Sequence, residues 1–133
     1  MVLSLPWLAL SLIAYNVIAF GTGISFDTEI ASLPMISGAD WVIRVRDVLI
    51  AATMVLLFVE ILKATRIGGN SLVDHALSTI VFIICLIEFL VVPQAATSLF
   101  FFITLVTLID VIAGFSVTIR AARRDLAIGH AAH

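Results

Sequence analysis

Charge is what this chain has least of. Asp, Glu, Lys and Arg make up 12% of it, about half the share found in soluble domains. No basic run is long enough to follow a nucleic-acid backbone, so nucleic acid is excluded as a partner. Cysteine is reduced to Cys85, inside an apolar run. A lone thiol excludes a disulfide scaffold within one chain and any thiolate-built zinc or iron–sulfur site, and leaves Cys85 a packing role. Histidine is nearly as scarce. Only His75 comes near a predicted span, at its edge, which excludes a haem anchor. His130 and His133 lie three apart in the tail GHAAH and lack the third ligand that a closed metal site needs. No serine–histidine pair, metal-ligand set or cysteine dyad falls at one depth, so an intramembrane enzyme is not expected, and neither is a cofactor. No Lys or Arg precedes the apolar run from Val2 to Phe20 and no cleavage pattern leads into a soluble domain. That run is read as a retained helix and not as a secretory signal.

What the chain does have is apolar length. Hydrophobic residues make up 62% of the 133 and the mean hydropathy is +1.24, which makes residues 1–133 a single transmembrane domain. The expected fold is all-α: four transmembrane helices at about 2–20, 48–65, 72–92 and 98–124 in an antiparallel bundle. Each is close to the ~20 residues that cross a ~30 Å hydrocarbon layer. Pro6 falls in the first turns of helix one, where a missing N–H costs little. Ser4, Ser11 and Tyr15 share a face of that helix and are read as packing and interfacial residues.

Chain breakers crowd into one place, with Gly21, Gly23, Pro34 and Gly38 all in the 21–46 loop. Within it Ser25–Ile30 and Trp41–Val45 alternate in polarity around the turn formers SGAD, which predicts a short extracytoplasmic β-hairpin between helices one and two. Arg44 and Arg46 project from its second strand near the lipid headgroups, and Trp41 sits at the same level. If helix two started at Trp41 instead, Arg44 and Asp47 would be a local ion pair. The preferred reading opens helix two with Asp47 as N-cap and stops it at Gly68 and Gly69. Ser71 and Asp74 are spaced as a capping box for helix three, which ends before Pro93. Two short links then make helices two, three and four antiparallel neighbours.

Helix four organises the rest. Thr104, Thr107, Asp110, Gly114 and Thr118 recur at helical spacing on one face, the packing face. Phe101, Ile103, Leu105, Leu108, Ile112 and Phe115 are assigned to the opposite face, toward lipid or an apolar neighbour. Arg120, Arg123 and Arg124 close the span. With Lys63 and Arg66 they place five basic residues on one side against Arg44 and Arg46 on the other, which puts both termini, and the tail 125–133, in the cytoplasm. The short loops suit a bacterial inner membrane.

Ionisable groups within spans are functional candidates by default. Counting ~1.5 Å per residue from the predicted helix ends groups them at two depths. An inner cluster unites Glu60, Lys63, His75, Ser78, Thr107 and Asp110. An outer one holds Asn16 and Glu88 with Arg44 or Arg46. Asp110 has no basic residue within a turn of its own helix, so its partner must come from another: Lys63 or a neighbour's hydroxyl. The inner cluster serves either as polar glue, with Glu60 and Lys63 paired along one helix, or as a proton or cation relay.

Two functions follow. The first is a non-catalytic subunit or assembly factor, bound in the lipid membrane to a larger membrane protein through the polar face of helix four. The second is a homo-oligomeric proton or ion channel or small transporter using Asp110 and Glu60, since four helices in one chain close around side chains and not around a water column. In size and helix count the chain resembles the small multidrug transporters and the fluoride channels, which implies the second function. Helix one lacks the membrane-embedded glutamate of the former, and no glycine-rich, arginine-bearing signature of the latter is present. No residue is therefore carried over from either.

Overall fold

The computed structural model describes residues 6–65 and 71–131. Three helices are long and apolar enough to cross a membrane: α2 (Val45–Thr65), α3 (Ser71–Val91) and α4 (Ser98–Ala131), the last over its Ser98–Val117 portion. Three such helices make this an integral membrane protein. Before them comes α1 (Ala9–Asn16), continued by a wider π-helical turn over Val17–Thr22. The two pieces together rise about 21 Å, short of a ~30 Å hydrocarbon layer. The described residues thus give three spans and a short apolar helix where four spans were expected; residues 1–5 lie outside them.

Helix ends follow local chemistry. α2 starts at Val45, ahead of the expected 48, and Asp47 is not its N-cap. Asp47 sits in the first turn, where its Oδ2 accepts the Arg44 backbone N–H at 2.9 Å, the reaching-back half of a capping box. The expected stop at Gly68 and Gly69, like Arg66, lies outside the described residues. α4 opens on Thr97, whose hydroxyl accepts the Phe100 N–H at 3.2 Å. It then continues past Arg124 to Ala131, so the expected tail 125–133 is helical as far as it is described. The sequence there, with Leu126, Ala127 and Ala131, favours helix, and only Gly129 opposes it.

The loop before α2 carries the hairpin, β1 (Glu29–Pro34) antiparallel to β2 (Asp40–Arg44), with Leu33 opposite Trp41 and Ser32 opposite Val42. The second strand lies where the alternation put it. The first is displaced, because Ser25–Thr28 fold on themselves: Thr28 N–H donates to the Ser25 carbonyl, and Asp27 N–H to the Ser25 hydroxyl, each at 3.1 Å. The turn closes over Met35–Ala39, with Gly38 at φ 94°, a conformation glycine adopts without steric cost. Arg46, expected on the second strand, belongs to α2.

α4 lies between α2 and α3 and packs along both, while among the described residues those two barely touch. They are not the packed neighbours that short links suggested. α1 packs against α2 and more lightly against α4. This arrangement moves Ile103 from the expected outer face into the core, where it is fully buried. A helix flanked on two sides buries an arc wider than one stripe. The core is formed by Tyr15, Leu49, Val81, Cys85, Phe100 and Ile103 with their neighbours.

Candidate functional site: the buried polar ladder

Polar side chains form successive rungs between the helices. At the hairpin end, Tyr15 of α1 is completely buried. Its hydroxyl donates to the Gln94 carbonyl at 2.9 Å and meets the Thr97 hydroxyl at 3.0 Å. Its ring stacks on Phe26, with centroids 4.7 Å apart, and meets Phe100 edge-on at 4.8 Å. One side chain thus ties α1 to the α3–α4 link and to the segment leading into β1. Further along, the hydroxyls of Ser11 (α1) and Thr53 (α2) are 2.8 Å apart in full burial. On the other flank, Asn16 Nδ2 donates to Glu88 Oε1 at 3.1 Å and to the Leu12 carbonyl at 2.9 Å.

The outer cluster is therefore half assembled. Asn16 and Glu88 meet across 72 positions of sequence, but the arginines do not join them. Arg44 donates through NH1 to the Asp27 carbonyl, and Arg46 pairs with the Asp27 carboxylate at 3.1 Å. Both start at the end of β2 and the first turn of α2, outside the bundle.

The inner cluster is brought together. On α4, Thr104, Thr107, Asp110 and Gly114 are all buried, as a single helical face requires; the side chain of Thr118 lies outside the described ones. Thr104 and Thr107 donate to carbonyls of their own helix, Phe100 at 2.9 Å and Thr104 at 2.6 Å, so these hydroxyls reach the bilayer level already satisfied. Thr107 also makes a side-chain hydrogen bond with Cys85 of α3.

Below it, Asp110 receives a hydrogen bond from Ser78 of α3 and faces Glu60 and Lys63 of α2. Glu60 Oε1 accepts from Lys63 Nζ at 3.3 Å and from the Trp7 backbone N–H at 2.5 Å. That amide belongs to the turn that opens α1, so a carboxylate on α2 sits at the positive end of α1. His75 of α3 closes the ladder, buried with its ring against Gly114 and 5.2 Å from Phe115.

The arrangement binds three spanning helices and α1 at one level through one cation, two carboxylates, a hydroxyl and a backbone amide. Sequence reasoning named most of these side chains. It missed the Trp7 amide, a backbone group without a sequence signal, and it read Tyr15 and Ser11 as ordinary packing. Their four-residue spacing was the available sign. Among the described residues, no three His, Cys, Asp or Glu side chains are grouped to hold a metal ion.

Comparison with family models, with curated proteins and with solved structures finds no match for this chain.

Proposed function

We propose that this protein is a non-catalytic subunit or assembly factor of a larger membrane complex. The observation that carries this reading is that each carboxylate of the inner level has a partner inside the chain: Ser78 for Asp110, Lys63 and the Trp7 amide for Glu60. Groups engaged in this way hold helices together. The polar face of α4, expected to meet the partner, is instead buried inside this chain between α2 and α3, whereas α2 and α3 turn large apolar side chains outward, among them Val55, Phe58, Ile87 and Leu90, which suits lipid or a partner's helices. In this reading α1, with the residues before it, is a fourth crossing of an antiparallel bundle. Both termini are cytoplasmic by the balance of basic residues, the hairpin is extracytoplasmic, and the membrane is a bacterial inner membrane.

The second reading, a homo-oligomeric proton or ion pathway, draws on Glu60, Lys63 and Asp110 facing one another. Purification in mild detergent or native nanodiscs separates the two. A subunit brings an unrelated membrane protein at fixed stoichiometry, and a channel appears as a symmetric assembly of itself. Asp110→Asn, which keeps a polar group of nearly the same shape, leaves assembly and activity intact in the first case. In the second it assembles normally and abolishes pH-dependent flux in proteoliposomes.

A further inference from the structure

Between the first turns of α2 and α4 and the segment that leads into β1 lies a cleft of about 460 Å³, within the size range of sites for small ligands. Its depth in the membrane does not depend on which way the protein faces. The spans of α2 and α4 both begin here, at Val45 and Ser98, so the cleft lies at one end of two crossings, at headgroup level. Its lining is mixed: Asp27, Arg46 and Ser98 are polar, while Ile50, Leu99 and Phe102 supply an apolar wall. Phe102 is also exposed on the outer surface of the bundle, which makes that wall continuous with the surface that meets acyl chains.

The charges are specific. Arg46 is half-exposed and bridges Asp27 through NH1 at 3.1 Å. A guanidinium carries five N–H donors, more than this contact uses, and its planar fork matches phosphate. Yet the cleft holds two carboxylates, Asp27 and Asp47, to that one arginine. Arg44 adjoins the same loop through the Asp27 carbonyl, so charges of both signs meet here: a purely anionic headgroup has no complement for the two carboxylates, whereas a headgroup bearing both phosphate and ammonium meets both its complements. Free phosphate would leave the apolar wall unused.

We propose that this cleft seats the headgroup of a zwitterionic aminophospholipid. Its phosphodiester lies on Arg46 and Ser98, its ammonium lies toward Asp27, and the first carbons of an acyl chain pass over Ile50 and Phe102. No bond is made or broken, and the lipid is a bound structural partner.

The test uses the full chain purified in a mild detergent, with native mass spectrometry after incubation with mixed micelles containing an ethanolamine phospholipid, a glycerol phospholipid or inorganic phosphate. One ethanolamine phospholipid is expected to stay bound per chain, at least tenfold more than the glycerol phospholipid. Arg46→Gln should cut retention about tenfold, and the control Arg123→Gln, at an exposed position well along α4, should leave it unchanged. Because Arg46→Gln also removes a bridge to Asp27, a second measurement leaves the charges intact. A photo-reactive residue in place of Phe102 should crosslink ethanolamine phospholipid more than one in place of Ile119, which is exposed elsewhere on the helix. Equal retention by a folded Arg46→Gln protein, equal retention of both headgroups, displacement by millimolar inorganic phosphate, or equal crosslinking at the two positions would each overturn the proposal.

Discussion

The ring of His75 occupies the place of the side chain that Gly114 lacks: a β-carbon at position 114 would stand 2.7 Å from His75 Nδ1 and 2.8 Å from its Cε1. The approach of α3 to α4 at this level therefore depends on a glycine, as close contacts between membrane helices commonly do. Gly114→Ala forces the buried imidazole out of position and is expected to destabilise the bundle by about 1–3 kcal/mol, the usual cost of overpacking. Reversible unfolding in mixed micelles measures it. A double-mutant cycle with His75→Ala should recover most of the loss. Wild-type stability of Gly114→Ala would mean that the two helices stand further apart.

Lys63 faces two carboxylates, Glu60 and Asp110. Lys63→Met leaves them facing each other without that cation, and removal of one partner from a buried ion pair costs about 3–5 kcal/mol. The loss should exceed that of Glu60→Gln, whose side-chain carbonyl still accepts the Trp7 amide. The double variant Lys63→Met with Glu60→Gln should be more stable than Lys63→Met alone. If the single lysine variant matches wild type in the same unfolding assay, water reaches these carboxylates.

Tyr15→Phe keeps the stacked ring and removes only the hydroxyl, leaving the Gln94 carbonyl without that donor. The expected cost is about 1–3 kcal/mol. Its location is informative: hydrogen exchange should rise at the start of α4 and in α1, and hardly at all around Asp110.

Topology has its own test. Single cysteines at Ser32, in β1, and at Asn70 should label with an impermeant thiol reagent from opposite sides of the membrane. Cys85 is buried and should give little background. Labelling of both from one side would break the assignment of the hairpin and the α2–α3 link to opposite faces.

Much of this was legible in the sequence, because helical spacing alone put Thr104, Thr107, Asp110 and Gly114 on one line, and a buried line of small and polar groups is what α4 presents. Which groups answer that line was not legible in the same way. Depth counting placed Ser78, Lys63 and Glu60 near Asp110, since a rise per residue is a property of every helix. It said nothing of how helices are arranged around one another, so the position of α4 between α2 and α3, and with it the burial of Ile103, had to come from the structure. Arg44 and Arg46 were drawn toward Glu88 by depth and charge, yet Asp27, close by in the folded loop, holds both. The first strand was misplaced because alternation in polarity is blind to the Ser25 hydroxyl, which captures the Asp27 amide and turns the chain.

The placement of α4 between two helices that scarcely meet bears on the order of events during synthesis. α2 and α3 emerge from the ribosome before α4 and enter the bilayer with His75 and Ser78 on a face of α3 that packs against Gly114 and Asp110 of α4. Until α4 inserts, that face of α3 is not yet covered by α4, and among the described residues the helical hairpin of α2 and α3 has almost no interface of its own. The last helix is thus the keystone of this protein. A chain stalled before Ser98 should be a recognisable substrate for membrane proteases, and a chain released after Val117 should already be closed.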